Sequence, residues 1–238
     1  MSSKTAIITG ATKGLGLETS LAFARAGYAV VATYKTDTHA AEQLQADLAQ
    51  EGAVFRVVQS DVSDENAKEL WSFPEITTAT SLVLVNNACA GFQPEPMHRV
   101  NWTAVETQLD VGLKGAWISS QAVLRQMVKS KSGTIVNVLT SAVDGLPPKG
   151  FSAYVIAKHA LRGLTLSLAS EFSSRGIRVF SVSPGYMDTA FTKIWDSRLR
   201  DAITSSEGRI SSTSEAGKRI VELVESSASP GVGEDHPI

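Results

Sequence analysis

Six short apolar runs rich in β-branched residues punctuate the chain at residues 5–9, 29–33, 54–58, 82–86, 134–138 and 177–182. Each is too short for an independent helix and too apolar for a loop, as expected of strands covered on both faces. Stretches at helical period separate them, for example residues 15–26 and 39–50. After Asn101 the apolar positions Trp102, Val105, Leu109, Leu113, Ala116, Val123 and Met127 recur at steps of three, four or seven, which marks one face of a long helix. This alternation predicts an α/β fold, a single doubly wound parallel sheet with right-handed crossovers and helices on both faces. One domain over residues 1–225 is expected, followed by a flexible Ser-, Gly- and Pro-rich tail at 226–238.

Charge narrows the function. Lys plus Arg number 22 and Asp plus Glu 24, for a net charge of −2, so neither a basic nucleic-acid groove nor a polybasic membrane patch is expected. No apolar run reaches the ~18 residues of a membrane span. The single cysteine, Cys89, excludes an internal disulfide, and the four scattered histidines build no zinc-ligand spacing. Cytoplasmic localisation is expected.

The first run leads directly into Thr9-Gly10-Ala11-Thr12-Lys13-Gly14-Leu15-Gly16 and then a helix. A glycine-rich turn there lets backbone N–H groups and a helix N-terminus approach a pyrophosphate. Gly10, Thr12, Lys13, Gly14, Leu15 and Gly16 are therefore candidate cofactor contacts. The second run ends Thr33-Tyr34-Lys35, with no carboxylate until Asp37. Lys35 and Lys13 near that end favour a ribose carrying a 2′-phosphate, hence NADP, with Tyr34 and Lys35 at the adenosine side; two solvated surface lysines are the alternative.

Taken in order, these motifs resemble the short-chain dehydrogenase/reductase family, over nearly the whole chain to about Val224. Thr-Gly-x-x-x-Gly-x-Gly matches that family's cofactor turn. Asp61-Val62 resembles its adenine-contacting pair, and Asn86-Asn87-Ala88 its Asn-Asn-Ala-Gly element, with Cys89 where glycine is usual. Tyr154-Val155-Ile156-Ala157-Lys158 resembles its Tyr-x-x-x-Lys. Pro184-Gly185, with Met187 and Thr189 after it, resembles the segment that closes over the nicotinamide. The resemblance implies a Rossmann-like fold, NADP(H) bound by Asp61, Val62, Asn87, Ala88, Pro184, Gly185, Met187 and Thr189, and a nicotinamide ribose held by Lys158.

The spacing of Tyr154 and Lys158 places them on one helix face. An ammonium beside the phenol is expected to draw its pKa, near 10 when free, toward neutrality, so that Tyr154 exchanges a proton with a carbonyl oxygen. The resemblance implies a strand-end serine as the third group. Counting back from Tyr154 points to Ser141; counting forward from Asn137 points to Thr140. Ser141 is preferred and Thr140 stays open; either hydroxyl can donate to the carbonyl oxygen.

Two departures from the family pattern carry expectations. Gly112, in Asp110-Val111-Gly112-Leu113-Lys114-Gly115, stands where the family has an asparagine that keeps a helix break beside a relay water. Glycine within a helix costs about 1 kcal/mol against alanine and can itself break it, so the break is expected to survive while proton resupply weakens. The C-terminal sequence lacks the family's usual close, which puts a seventh strand and the usual tetramer contact in doubt. Phe92, Phe151, Met187, Phe191, Trp195 and the Pro147-Pro148 turn are candidate substrate-pocket residues, under a lid at about 186–209. Trp102 and Trp117 are expected to serve packing. Together these readings predict an NADPH-dependent reductase of a small carbonyl compound, a homodimer or homotetramer. A non-catalytic NADP(H)-binding regulator, or an epimerase or dehydratase on the same site, stays open.

Overall fold

The computed structural model describes residues 4–207, 210–226 and 233–238. Strands β1 (Lys4–Ile8), β2 (Ala29–Tyr34), β3 (Phe55–Gln59), β4 (Ser81–Asn86), β5 (Gly133–Val138), β6 (Ile177–Ser183) and β7 (Asp235–Pro237) form one sheet in the order β3-β2-β1-β4-β5-β6-β7. Every pairing is parallel. The helices are α1 (Gly14–Arg25), α2 (Thr38–Gln50), α3 (Pro74–Thr77), α4 (Trp102–Leu109), α5 (Gly115–Ser130), α6 (Ser152–Phe172), α7 (Ala190–Lys193), α8 (Ser197–Glu207) and α9 (Thr213–Glu225). Strand order reverses between β1 and β4, which opens a crevice at their carboxyl ends.

The period of two along each strand divides the core into two layers. Ala6 and Ile8, Val83 and Val85, Val136 and Val138, and Phe180 and Val182 face α1, α2 and α9. Ile7, Leu82 and Leu84, Ile135, and Ile177 and Val179 face α5 and α6. Both faces are buried, so the strands read as continuous apolar runs.

Two expectations need correction. The chain does supply a seventh strand: residues 233–238 lie along the sheet edge, and residues 227–232 of the expected tail are outside the described residues. Asp235 fixes this strand by accepting from the Ser181 and Ser183 hydroxyls, each at 2.6 Å, and Ser181 N–H donates to the Glu234 carbonyl. The pattern was hard to see because a three-residue edge strand carries no hydrophobic period. Trp102 and Trp117 do not serve internal packing; they are 67 % and 52 % exposed. The expected long helix is real but interrupted, and its outer face carries these two rings.

Candidate active site

The glycine turn is closed by the end of β4. Gly10 and Gly14 adopt positive φ, +62° and +52°, a region costly for any residue with a Cβ. A Cβ on Gly16 would lie 2.3 Å from the Gly10 carbonyl oxygen and 2.5 Å from Asn87 Nδ2, so no larger side chain fits without moving the turn. Asn87 Nδ2 donates to the carbonyls of Thr9 and Gly10, at 2.9 and 3.0 Å. The Thr9 hydroxyl accepts from the backbone N–H of Asn87 and Ala88, both at 3.0 Å. Thr9 was not among the expected site residues; its place directly before the first glycine was the available signal. The first amides of α1 carry no side-chain cap, which leaves a helix N-terminus suited to an anion.

The adenosine side is charged, but its charges are already matched. Lys13 pairs with Asp37, and Lys35 with Asp61 at 2.7 Å. Burial alone would raise the Asp61 pKa, but hydrogen bonds from Lys35 and from the Ser63 hydroxyl and N–H hold it below the ordinary value. Both lysines are more than half exposed, and surface pairs of this kind exchange partners readily. Gly10, Lys13, Gly14, Leu15, Asn87 and Ala88 line the crevice together with Pro184, Gly185, Met187 and Thr189; Thr36, which no motif marked, joins them. Thr12, Tyr34, Lys35 and Asp61 lie outside that lining. Val62 is buried at 7 % exposure and abuts the α5 backbone at Gly115.

Tyr154 and Lys158 project from the first turns of α6 into the same crevice, 8 % and 4 % exposed. Lys158 Nζ donates to the Val138 carbonyl at the end of β5, at 2.6 Å, and stands 5.7 Å from the centre of the Tyr154 ring. Burial pushes the Tyr154 phenol well above the ordinary value; Cys89 adds to this, and a hydrogen bond with the Thr140 side chain opposes it. Burial likewise lowers the Lys158 pKa, with Cys89 opposing. Burial, the largest influence, thus moves the phenol in the direction opposite to the one expected from its lysine neighbour.

The Thr140 side chain is hydrogen-bonded to Tyr154, and both Thr140 and the preferred Ser141 line the crevice. Thr140 continues the extended path of β5, with φ −169° and ψ 147°, whereas Ser141 starts a 3₁₀ turn over Ser141–Val143. Ser141 donates its N–H to the Pro184 carbonyl at 2.9 Å and also lines the crevice. Cys89 lines it too, half-buried, with burial raising its thiol pKa against the opposing charge of Lys158. His98 is exposed; His159 bonds the Val155 carbonyl within α6.

Between α4 and α5 the chain forms a π-helical turn over Asp110–Lys114, with Gly112 buried at its centre. The expected helix break is therefore present without the asparagine. A Cβ at Gly112 would come no closer than 3.8 Å to Ala157 Cβ, on α6 just before Lys158.

The other end of the crevice is aromatic. Phe151, Tyr154, Tyr186 and Trp195 are buried, with Phe92 and Phe191 packed against them. Trp195 Nε1 donates to the Phe92 carbonyl and Gln93 Nε2 to the Ile194 carbonyl, both at 3.0 Å. These bonds hold α7 and α8 down over the crevice, where a lid was expected; residues 208 and 209 of that expected span lie outside the described residues. The crevice as a whole measures about 590 Å³.

A glycine turn before an uncapped helix, at the switch point of a parallel sheet and facing a buried Tyr–Lys pair, defines a dinucleotide-binding protein of oxidoreductase design. The sequence model of the short chain dehydrogenases matches residues 4–199, and the chain belongs to that family of oxidoreductases. It is 34 % identical over 200 residues to a 3-oxoacyl-acyl-carrier-protein reductase of Synechocystis, covering 81 % of this chain and 78 % of that one. The oxidoreductase UcpA of Salmonella typhimurium is 33 % identical over 192 residues, 79 % of this chain and 71 % of its own. Among solved structures, one from Beutenbergia cavernae is provisionally described as an NAD(P) dependent gluconate 5-dehydrogenase with bound NADP at low occupancy. It superposes with a TM-score of 0.88 at 30 % identity, covering all of this chain and 95 % of that one.

Proposed function

We propose that this protein is an NADPH-dependent carbonyl reductase in which Tyr154 is the general acid. The observation that carries this reading is the trio at the floor of the crevice: Tyr154 hydrogen-bonded to Thr140, with Lys158 one turn away and fixed on the end of β5. The names of the Synechocystis reductase and of the NADP-bound Beutenbergia structure support the reaction class and the cofactor.

The chain's residues fit the dinucleotide. Gly10, Gly14 and the leading amides of α1 would hold the pyrophosphate; Lys35 and Lys13, released from their carboxylates, would meet the 2′-phosphate; Lys158 would hold the nicotinamide ribose. When bound, the reduced nicotinamide supplies the hydride. Tyr154 then has one task, to hand its proton to the substrate oxygen as negative charge develops there. Burial keeps the phenol protonated at neutral pH, which is the form that a donor needs. Thr140 positions that hydroxyl and is placed to donate to the same oxygen, with Ser141 alongside. The aromatic wall excludes water from the reacting carbon.

No helix among the described residues is long and apolar enough to cross a membrane, which accords with a cytoplasmic enzyme. Trp102 and Trp117, with Ile156 and Leu166 of α6, leave large apolar side chains exposed on α4–α6. That surface supports pairing with a second copy as a homodimer or homotetramer.

The decisive experiment is Tyr154→Phe. Its expected result is a loss of ketone reduction by about 10²–10⁴-fold, with NADPH affinity, read by nicotinamide fluorescence, preserved. A wild-type protein that binds NADPH and reduces no carbonyl in a broad screen would overturn the reading.

A further inference from the structure

The acceptor end of the crevice is built almost wholly of aromatic rings. Phe92 is their hub. Its ring stacks on Tyr154, 4.9 Å between centres at 16°. It also meets Phe151 edge-on at 5.1 Å, Trp195 at 5.4 Å and Phe191 at 5.8 Å. Phe191 and Trp195 approach each other at 69° and 5.7 Å. The donor hydroxyl therefore opens beside several ring faces and edges set at steep angles, an arrangement that favours a further flat π-system in offset or edge contact.

Charge is missing from the same wall. Of the described side chains lining the crevice, only Lys13 and Lys158 are cationic. Lys13 belongs to the glycine turn, and Lys158 donates to the Val138 carbonyl and is the residue assigned above to the nicotinamide ribose. Gly91, Ala142, Pro148, Phe151, Phe191 and Trp195 offer a carboxylate no partner, and a desolvated unpaired carboxylate is strongly disfavoured. The two loops that bracket this end, 87–100 and 139–151, are tied by a bond from Glu95 N–H to the Gly150 carbonyl. They carry Met97 and Leu146, 75 % and 99 % exposed, beside exposed Glu95, His98, Arg99, Asp144 and Lys149, so the aromatic wall lies inward of a mixed rim.

We propose that the substrate is an uncharged ketone bearing an aromatic ring next to its carbonyl arm, with Phe191 and Trp195 as the residues that select it. This inference rests on the carbonyl-reductase reading above and adds the substrate class. The ring lodges against Phe191 and Trp195, and the carbonyl oxygen points to Tyr154 and Thr140. Phe92 acts through the others: it stacks on Tyr154, and its carbonyl receives the Trp195 indole N–H that keeps the lid in place. Phe92 is thus a positioning residue.

The test compares three ketones with NADPH: phenylacetone, cyclohexylacetone and acetoacetate. The first two place a six-membered ring at the same distance from an equally reactive carbonyl, so their ratio reads ring recognition alone. The expected kcat/KM for phenylacetone exceeds that for cyclohexylacetone by about tenfold, the scale on which apolar pockets discriminate, and exceeds that for acetoacetate by more. Trp195→Leu and Phe191→Leu are each expected to bring the phenyl-to-cyclohexyl ratio within about threefold of unity. Calorimetry of benzamide binding, a readout independent of turnover, should weaken about tenfold in the same variants. Equal use of both ring ketones, a preference for acetoacetate, or an unchanged ratio in both variants overturns the substrate class while the reductase reading stands. Reduction of no ketone by protein that binds NADPH overturns the reductase reading itself.

Discussion

At the scale of single residues, burial governs the chemistry. Burial among protein atoms raises the Tyr154 phenol and so keeps it protonated, with Lys158 Nζ 5.7 Å from its ring centre. The direction of the shift sets a pH signature. Reduction needs the protonated phenol, a form fully present below the raised pKa, so its kcat should stay flat from about pH 6 to about pH 9. Alcohol oxidation needs the phenolate, and its rate should climb across the same range by up to about tenfold per pH unit. Steady-state profiles in both directions check this; a reduction rate that falls through neutrality would contradict it. The strand-end hydroxyls give a second prediction. Thr140→Ala should lower kcat by about tenfold or more, because the Thr140 side chain bonds the Tyr154 hydroxyl, and Ser141→Ala measured beside it ranks the two hydroxyls. Sequence alone located Tyr154 and Lys158, since their spacing puts them on one face. It left Thr140 and Ser141 undecided because that choice depends on where an extended backbone gives way to a 3₁₀ turn, a matter of one residue.

Elements explain why some of the pattern was visible and some was not. The central runs are legible because both faces of β1, β4 and β5 are covered, so their apolar character is nearly unbroken, whereas β3, at the sheet edge, is only half-buried. Their observed bounds differ from the expected ones by a residue or so, as at β1 and β5. β7 has no apolar period to read, and the Ser181 and Ser183 hydroxyls donate to its Asp235 carboxylate alongside the backbone ladder. The interruption between α4 and α5 was foreseen from Gly112, and it takes the form of a π-helical turn. Its consequence is testable. A Cβ at Gly112 would meet Ala157 Cβ at 3.8 Å, an ordinary contact, and a thermal melt of Gly112→Asn is expected to show a folded protein. If the lost side chain had weakened proton resupply, this variant should raise kcat by about two- to fivefold on the acid–base limited side of the profile. An identical pH profile would show that the backbone break alone suffices.

For the whole molecule, cofactor choice is a question of exchange between charges. Lys13 and Lys35 are each paired with a carboxylate, Asp37 and Asp61, so a 2′-phosphate has to compete for them. The sequence showed the cations near the end of β2 but could not show who held them, because both partnerships join segments distant along the chain. Lys13→Ala combined with Lys35→Ala should raise the KM for NADPH by about tenfold or more and leave that for NADH nearly unchanged. Added salt should narrow the difference between the two cofactors in the wild type. Equal loss for both cofactors would assign the lysines to general structure.

The bonds from the Asn87 side chain to the Thr9 and Gly10 carbonyls, and from the Asn87 and Ala88 N–H groups to the Thr9 hydroxyl, span 77 to 79 positions of chain. A fragment cut ahead of β4 would carry every glycine of the signature and still lack the amide that shapes the turn. During synthesis the nucleotide cradle can assemble only after the middle of the polypeptide has arrived and closed a long loop. Capture of a dinucleotide by nascent chains of increasing length would therefore switch on abruptly once Asn87 can reach β1, and would time that step in folding.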